Sequence, residues 1–491
     1  MSDRGTSEVI ADPPEQPAVS THDGASGASQ PRPTEAGGGT QADAASSGTD
    51  KPGAKGAGRT RRQELHKWQM RIFALSWLTY AAFYFPRNAM SAAKVGVLEE
   101  GFMDKAQLGV LDSVYLAAYA VGQFVWGAVA ERFGTRVVVT GGLIMAGVAR
   151  LFMGIVPAVW MFIPAMLAMG LAQSTGWSAL CKNIASFFSV QVRGRAMGFF
   201  STSYAFGGLV AAPVAGFFAY QVFHTWRAAF FVGTAVVFLT VVLFVIFQRN
   251  HPNEVGLPDV DDENGDLDAP YQRRGRTRAP MPVVHVDGDK FTFKLLFAAV
   301  RQDAMVLKLG IVYFLLKPAR YAVLLWGPVL VKEALPETST LTAVFVPVAF
   351  GVAGIVAPVA IGWASDRLFG ARRVPPTIIA LGLLVIALAL WGPATATGSV
   401  VTVAALLALV GLTAYGADAM VSGVAAVDFG TSKYAAGATG FINGCGSIGA
   451  ILGGLLPGFM GGTALFYGFA GAALVAALIL VPSWNQRPAN A

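Results

Sequence analysis

Of 491 residues, 54% are hydrophobic and only 13% charged, the formal net charge is +7, and the mean hydropathy is +0.54. Soluble domains carry about 25% charged residues, so a soluble globular class is excluded and a polytopic, all-α membrane protein is implied. The surplus of Lys and Arg is no nucleic-acid signature, because those residues gather in alternate loops, the distribution that orients membrane helices.

Residues 1 to about 60 contain no Phe, Trp or Tyr and are rich in Gly, Ala, Ser, Pro and Thr. They cannot bury enough apolar surface to fold, so 1–66 are expected to be a disordered cytoplasmic tail. No apolar h-region of a cleavable signal peptide occurs there, and the basic cluster Arg59, Arg61, Arg62, Lys67 and Arg71 should hold the N-terminus inside. Apolar runs long enough to cross a core of about 30 Å follow near 70–97, 106–130, 135–156, 158–185, 195–222 and 226–247. Six more lie near 304–331, 339–363, 375–392, 399–427, 436–459 and 462–482. The expected organisation is twelve transmembrane helices in two six-helix bundles, 67–248 and 304–483, joined by a polar cytoplasmic linker, 249–303, and ending in a short cytoplasmic tail, 484–491. Basic residues such as Arg132, Arg136, Arg193, Arg367, Arg372 and Lys433 fall in the loops of one side, which places both termini in the cytoplasm of an inner-membrane protein.

The first run carries a permanent charge. A lone arginine at bilayer depth costs roughly 2.5–3.5 kcal/mol even on the lenient insertion scale, yet Arg87 lies well inside an apolar segment. Helical spacing puts Tyr80, Tyr84 and Arg87 on one face. The pattern returns as Tyr313, Lys317 and Arg320, each 233 positions later. The turn Gly127-Ala-Val-Ala-Glu131-Arg132-Phe-Gly134 reappears around Gly362, Asp366 and Arg367 at an offset of 235, and Gly198, Gly207 and Gly216 match Gly440, Gly449 and Gly458 at 242. The halves therefore read as a duplicated six-helix unit, as in one large class of transporters.

Other ionisable residues at membrane depth leave alternatives open. Lys182 either adds to a positive field or snorkels to the interface, and Lys94 is expected at the outer interface. Asp112, on one face with Tyr115 and Tyr119, is either a counter-ion for a cavity cation or half of an ion pair tying two helices. Asp418, near Tyr415, is a candidate for binding a proton or a cationic group. Arg150 and Arg227 are expected near helix ends in structural roles. Cys181 and Cys445 read as small buried hydrophobes. The five histidines show no metal-ligand spacing and there is no P-loop, so neither enzyme, cofactor nor metal is expected.

With these motifs the chain resembles the major facilitator superfamily, whose cytoplasmic acidic-basic loop is the element around Glu131-Arg132 and Asp366-Arg367. That likeness implies a cytoplasmic gate at those four residues. Closer resemblance is to the organophosphate:phosphate antiporter family, through Tyr80-Ala-Ala-Phe-Tyr84-x-x-Arg87, Arg320-Tyr-Ala-Val-Leu-Leu-Trp326-Gly-Pro328, Gly176-Trp177, Trp226-Arg-Ala-Ala and Pro252-x-x-x-Gly256-Leu-Pro258. The resemblance implies that Arg87 and Arg320 hold a substrate phosphate, with Tyr80, Tyr84, Tyr119 and Tyr415 around them; Lys182, and Lys317 one turn before Arg320, are added as candidates for the same site on their depth in the membrane. Neutral Asn88, Gln123 and Ser186 stand where the glycerol-phosphate branch has basic residues, so that branch's substrate is not carried over. The expected activity is exchange of inorganic phosphate for an organic phosphate or phosphonate, by a monomer in lipid with no nucleic-acid partner. Proton- or cation-coupled anion symport and sugar-phosphate sensing are the alternatives.

Overall fold

The computed structural model describes residues 60–258, 260, 304–370, 372–424 and 435–486, and the regular structure among them is helical. In the first half run α1 (Arg61–Glu99), α2 (Lys105–Phe133), α3 (Thr135–Ile155), α4 (Phe162–Gln173), α5 (Gly176–Phe187), α6 (Val190–Phe217) and α7 (Arg227–Phe247). The second half holds α8 (Ala304–Ala334), α9 (Thr340–Phe345), α10 (Val348–Leu368), α11 (Val374–Ala389), α12 (Trp391–Ala396), α13 (Val400–Ala419), α14 (Ala435–Leu455) and α15 (Gly462–Leu480). The pairs α4/α5, α9/α10 and α11/α12 each make one bent passage, and 10 passages are long and apolar enough to cross a membrane. Outside that set stand the long helices α1 and α2, diluted by tyrosines, Arg87, Lys94 and Asp112; the expected twelve requires both as crossings. The inter-half linker from 261, Lys433, and the side chains of Glu131 and Arg193 lie outside the described residues.

One boundary moves. α1 starts at Arg61, inside the expected tail, where the Thr60 hydroxyl caps it by accepting from the Gln63 N–H. The physical reason is apolar: Leu65 is buried against Val255 and Leu257 just after the sixth passage, with Trp68 packed beside them. The early turns of α1 thus find partners that composition alone does not reveal.

Duplication is visible in backbone contacts. A Cβ added to Gly207 would lie 2.6 Å from the Ala81 carbonyl oxygen, and one on Gly449 2.3 Å from that of Phe314. These contacts seat α6 on α1 and α14 on α8, at offsets 449−207 = 242 and 314−81 = 233. Gly170 meets the Tyr115 oxygen at 2.4 Å and Gly411 that of Phe350 at 2.2 Å, with offsets of 241 and 235. Only a residue without a side chain permits such approach. The Phe314 oxygen is also the one that Pro318 leaves without its i→i−4 donor, so Gly449 packs against a loosened turn.

The bend between α4 and α5 has its own cause. Ser174 and Thr175 turn their hydroxyls back onto the carbonyls of Leu171 and Ala172, which competes with the helical ladder. Gly122 of α2 and Gly142 of α3 make room, since a Cβ there would sit about 2 Å from the two hydroxyl oxygens.

The halves are joined at the end where α1 and α8 finish. A Cβ on Gly458 would meet the Lys105 carbonyl at 2.7 Å, and one on Gly216 the Val344 side chain at 2.8 Å. The two contacts are the same one made twice, because Gly216 matches Gly458 at 242 and Gly109, which touches Gly458, matches Val344 at 235. Ion pairs Lys105–Glu333 and Lys332–Glu99 (3.6 Å) cover this end.

Beneath them the Lys94 ammonium and the Asp112 carboxylate form an ion pair with both side chains essentially unexposed. Lys94 also donates to the Leu325 carbonyl at 2.9 Å and lies 4.0 Å from the Trp326 ring centroid. Lys94 is therefore not at the outer interface, because Asp112, a carbonyl and an aromatic face replace its water. Removing one member of such a pair leaves a bare buried charge. Asp112→Leu should lower unfolding stability by about 3–5 kcal/mol, and Lys94→Met in the same molecule should restore most of it; detergent-phase melting of both variants measures this. Equal losses in the single and double variants would contradict the pairing.

Candidate functional site

Below that plug lies a cavity of about 340 Å³, to which both halves contribute. Its lining includes Tyr84 and Arg87 of α1, Tyr115 and Tyr119 of α2, Arg320 and Tyr321 of α8, and Tyr415 of α13. It continues along α6 from Pro213 to Gly198 and along α10 from Val348 to Val359, away from the closed end. Fifteen residues of α6 rise about 22 Å, so the space leads from mid-membrane toward the basic loops.

Each arginine follows a helix proline, Pro86 or Pro318, where the ladder is interrupted. Arg87 donates through Nε to the Gln173 Oε1 at 3.2 Å, and its guanidinium lies 4.5 Å from the Tyr84 ring and 5.2 Å from the Tyr119 ring. Arg320 donates through Nη1 to the Asp418 Oδ2 at 2.7 Å and lies 4.1 Å from the Tyr415 ring. Ring faces attract guanidinium charge once water is removed. Both arginines keep a buried N–H group without a partner, Nη2 on Arg87 and Nε on Arg320, and the Gln173 amide nitrogen and Asp418 Oδ1 are also unpartnered. Buried donors left unsatisfied are costly, so the N–H groups left over on Arg87, Gln173 and Arg320 would gain from an acceptor.

The remaining expected site residues are more dispersed. Tyr80 is buried one layer behind Tyr84, among Trp177 and Phe200, and does not line the cavity. Lys317 is buried outside the lining, 4.4 Å from the Tyr313 ring and 5.8 Å from that of Tyr321. Lys182 is exposed and is not among the residues lining the cavity. Asp112 takes Lys94 as partner and not a cavity arginine. Of the expected gate, Arg132 stacks over Phe133 (5.4 Å), Arg367 stands 5.8 Å from the Trp363 ring, and Asp366 pairs with Arg373 of its own half at 2.6 Å.

Arg150 has the structural role expected of it, near the end of α3. It is fully buried, because its Nε donates to the Pro86 carbonyl at 2.5 Å while Phe230 and Met153 cover the rest. It braces the residue before Arg87. Arg227 serves a helix end, donating to the Gly154 and Val156 carbonyls at the close of α3.

Gln173 is the site residue that sequence reasoning passed over. Its signal was the repeat itself: the fourth passages match at 241, which puts Gln173 beside the counterpart of Tyr415, so each arginine is touched from the fourth passage of its own half. Among the described residues no cluster of His, Cys, Asp or Glu could hold a metal.

Comparison with known proteins agrees with the architecture. The family model of the Major Facilitator Superfamily matches residues 72–453. The probable hexose phosphate transport protein of Chlamydia trachomatis is 27% identical over 432 residues, covering 86% of this chain and 92% of that one. The glycerol-3-phosphate transporter of Bacillus subtilis is 27% identical over 435 residues (85% and 92%), and the membrane sensor protein UhpC of Escherichia coli 27% over 433 (86% and 94%). Among solved structures, a bacterial homologue of the lysosomal transporter Spinster in an inward-facing, unoccupied conformation superposes with a TM-score of 0.63 at 12% identity, covering 85% of this chain and 95% of the other. The nucleoside transporter NupG gives 0.62 at 14% identity, covering 85% and 100%, and both likenesses concern the fold. The chain belongs to the Major Facilitator Superfamily, a family of transporters and not of enzymes, and its relatives are consistent with the organophosphate:phosphate antiporter branch.

Proposed function

We propose that this protein exchanges inorganic phosphate for an organic phosphate or phosphonate across the inner membrane, by alternating access of the cavity that holds Arg87 and Arg320. The observation that carries this reading is a pair of permanent cations from matching positions of the two halves, each with a buried N–H left over, lining one cavity. A planar guanidinium bonds two oxygens of a phosphate at once. In a water-poor cavity that attraction is strong enough to offset stripping water from a dianion. The relatives named for hexose phosphate and glycerol-3-phosphate transport support the substrate class.

The two bundles, 67–248 and 304–483, are the moving bodies in this reading, with both termini in the cytoplasm, and the closed end is the periplasmic one. Tyr84, Tyr119 and Tyr415 flank the phosphate and Tyr80 backs them. Glu131, Arg132, Asp366 and Arg367 meet when the cytoplasmic end closes. A phosphate drawing one arginine from each half favours closure around it, whereas an empty cavity offers nothing to bridge Arg87 and Arg320, so exchange is favoured over net flow. Symport has less support, since both carboxylates it would need to titrate are held by cations, Asp112 by Lys94 and Asp418 by Arg320. Sensing is the second reading, favoured by the similarity to UhpC.

Proteoliposomes decide between them. Vesicles preloaded with phosphate should take up labelled phosphate about tenfold faster than empty ones, and Arg87→Lys or Arg320→Lys should cut that rate by at least about tenfold, because a point charge does not reproduce the fork. Equal uptake by loaded and empty vesicles rules out exchange. Phosphate binding without any uptake identifies a sensor.

A further inference from the structure

The two arginines differ in one respect that the repeat throws into relief. Arg87 leans on a neutral amide, Gln173, and the position one turn before it is the neutral Tyr84. Arg320 is held by a carboxylate, Asp418, and the residue one turn before it, 233 positions after Tyr84, is Lys317. The second half has thus gained one extra cation and one extra anion. Its net charge equals that of the first, since Arg320 and Lys317 less Asp418 leave one positive charge, as Arg87 does alone.

The geometry of the added pair is specific. Asp418 uses one oxygen on Arg320 and leaves Oδ1 buried and unpartnered, while Lys317 rests on the Tyr313 ring with no carboxylate within 4 Å among the described residues. Lys317 and Arg320 are three residues apart on α8 and so share a face, which puts both cations within reach of one carboxylate on α13. Neither Lys317 nor Asp418 lines the cavity, whereas Arg320 does.

Resting on the phosphate reading above, we propose that Asp418 is a built-in competitor for the substrate phosphate at Arg320, and that Lys317 receives Asp418 when phosphate displaces it. In the empty carrier Asp418 occupies Arg320 in place of the substrate. Phosphate entering from the cavity takes the guanidinium, and Asp418 turns to Lys317, so the buried carboxylate keeps a cation at both stages. Asp418 therefore lowers affinity and speeds release, acting on Arg320 from behind without touching the substrate.

Calorimetric titration of the purified full-length protein with inorganic phosphate tests this, alongside melting curves that register folding. Asp418→Asn should tighten phosphate binding by about tenfold while slowing exchange, an outcome that loss of a merely structural contact does not produce. Lys317→Met, which leaves Asp418 with Arg320 alone, should weaken binding by a similar factor. The double variant Asp418→Asn/Lys317→Met keeps the local net charge and decides the mechanism: it binds phosphate tighter than the wild type if Asp418 competes, and equally well if Asp418 acts only through its field. Tight binding by the double variant also supports the proposal where Asp418→Asn alone does not fold. Unchanged or weaker binding by a folded Asp418→Asn, wild-type affinity in the double variant, or an unaffected Lys317→Met overturns it. Absence of phosphate binding by the wild-type protein itself would instead refute the phosphate reading on which the proposal stands.

Discussion

A fixed positive charge inside hydrocarbon is the constraint around which this molecule is arranged. Guanidinium groups keep their protons, so each one at membrane depth must be given a substitute for water. Arg87 receives an amide oxygen and two ring faces, Arg320 a carboxylate and one ring face, and Arg150 a carbonyl with a phenyl ring beside it. Lys94 receives a carboxylate, a carbonyl and an indole. The solutions differ in completeness. Lys94 lies wholly inside a plug, whereas Arg87 and Arg320 stand at a cavity with donors to spare. Incomplete satisfaction sets the two cavity arginines apart from the plugged lysine.

The backbone is shaped to the same end. Prolines just before both arginines interrupt their helices, and glycines of the partner helices settle onto exposed carbonyls beside those interruptions. Since Gly207 and Gly449 meet α1 and α8 in the same way, each cation is delivered to the centre by an equivalent two-helix frame. The far end of the same helices carries the closure, where Gly458 and Gly216 let the halves touch backbone to side chain and backbone to backbone. Site and closure are therefore built on common elements.

Much of this was legible in the sequence because it was repeated. Offsets of 233, 235 and 242, found from Arg87/Arg320, Gly127/Gly362 and Gly207/Gly449, return as spatial contacts between equivalent helices. Hydropathy located the passages because a bilayer fixes their length. Partner choice was not legible. Lys94 sits two turns beyond Arg87 and resembles an interfacial lysine until α2 brings Asp112 and α8 brings Trp326 to it. Likewise Gln173 is an unremarkable amide in an apolar run, and its importance comes from the bend at Ser174 and Thr175. Lys182 shows the converse, a cation whose sequence neighbours are distinctive but which is not among the residues lining the cavity.

The ring that covers each cation comes from a different place in the two halves. Over Arg87 one ring is Tyr119, from the second passage; the matching position in the second half is Gly354, and the vacated room is filled by Tyr415 from the fourth. A chamber assembled from twin subunits of sequence is thereby made lopsided. A guest with unlike ends would meet unlike walls, so a solute more elaborate than a bare tetrahedral ion can be seated in one orientation in preference to its reverse.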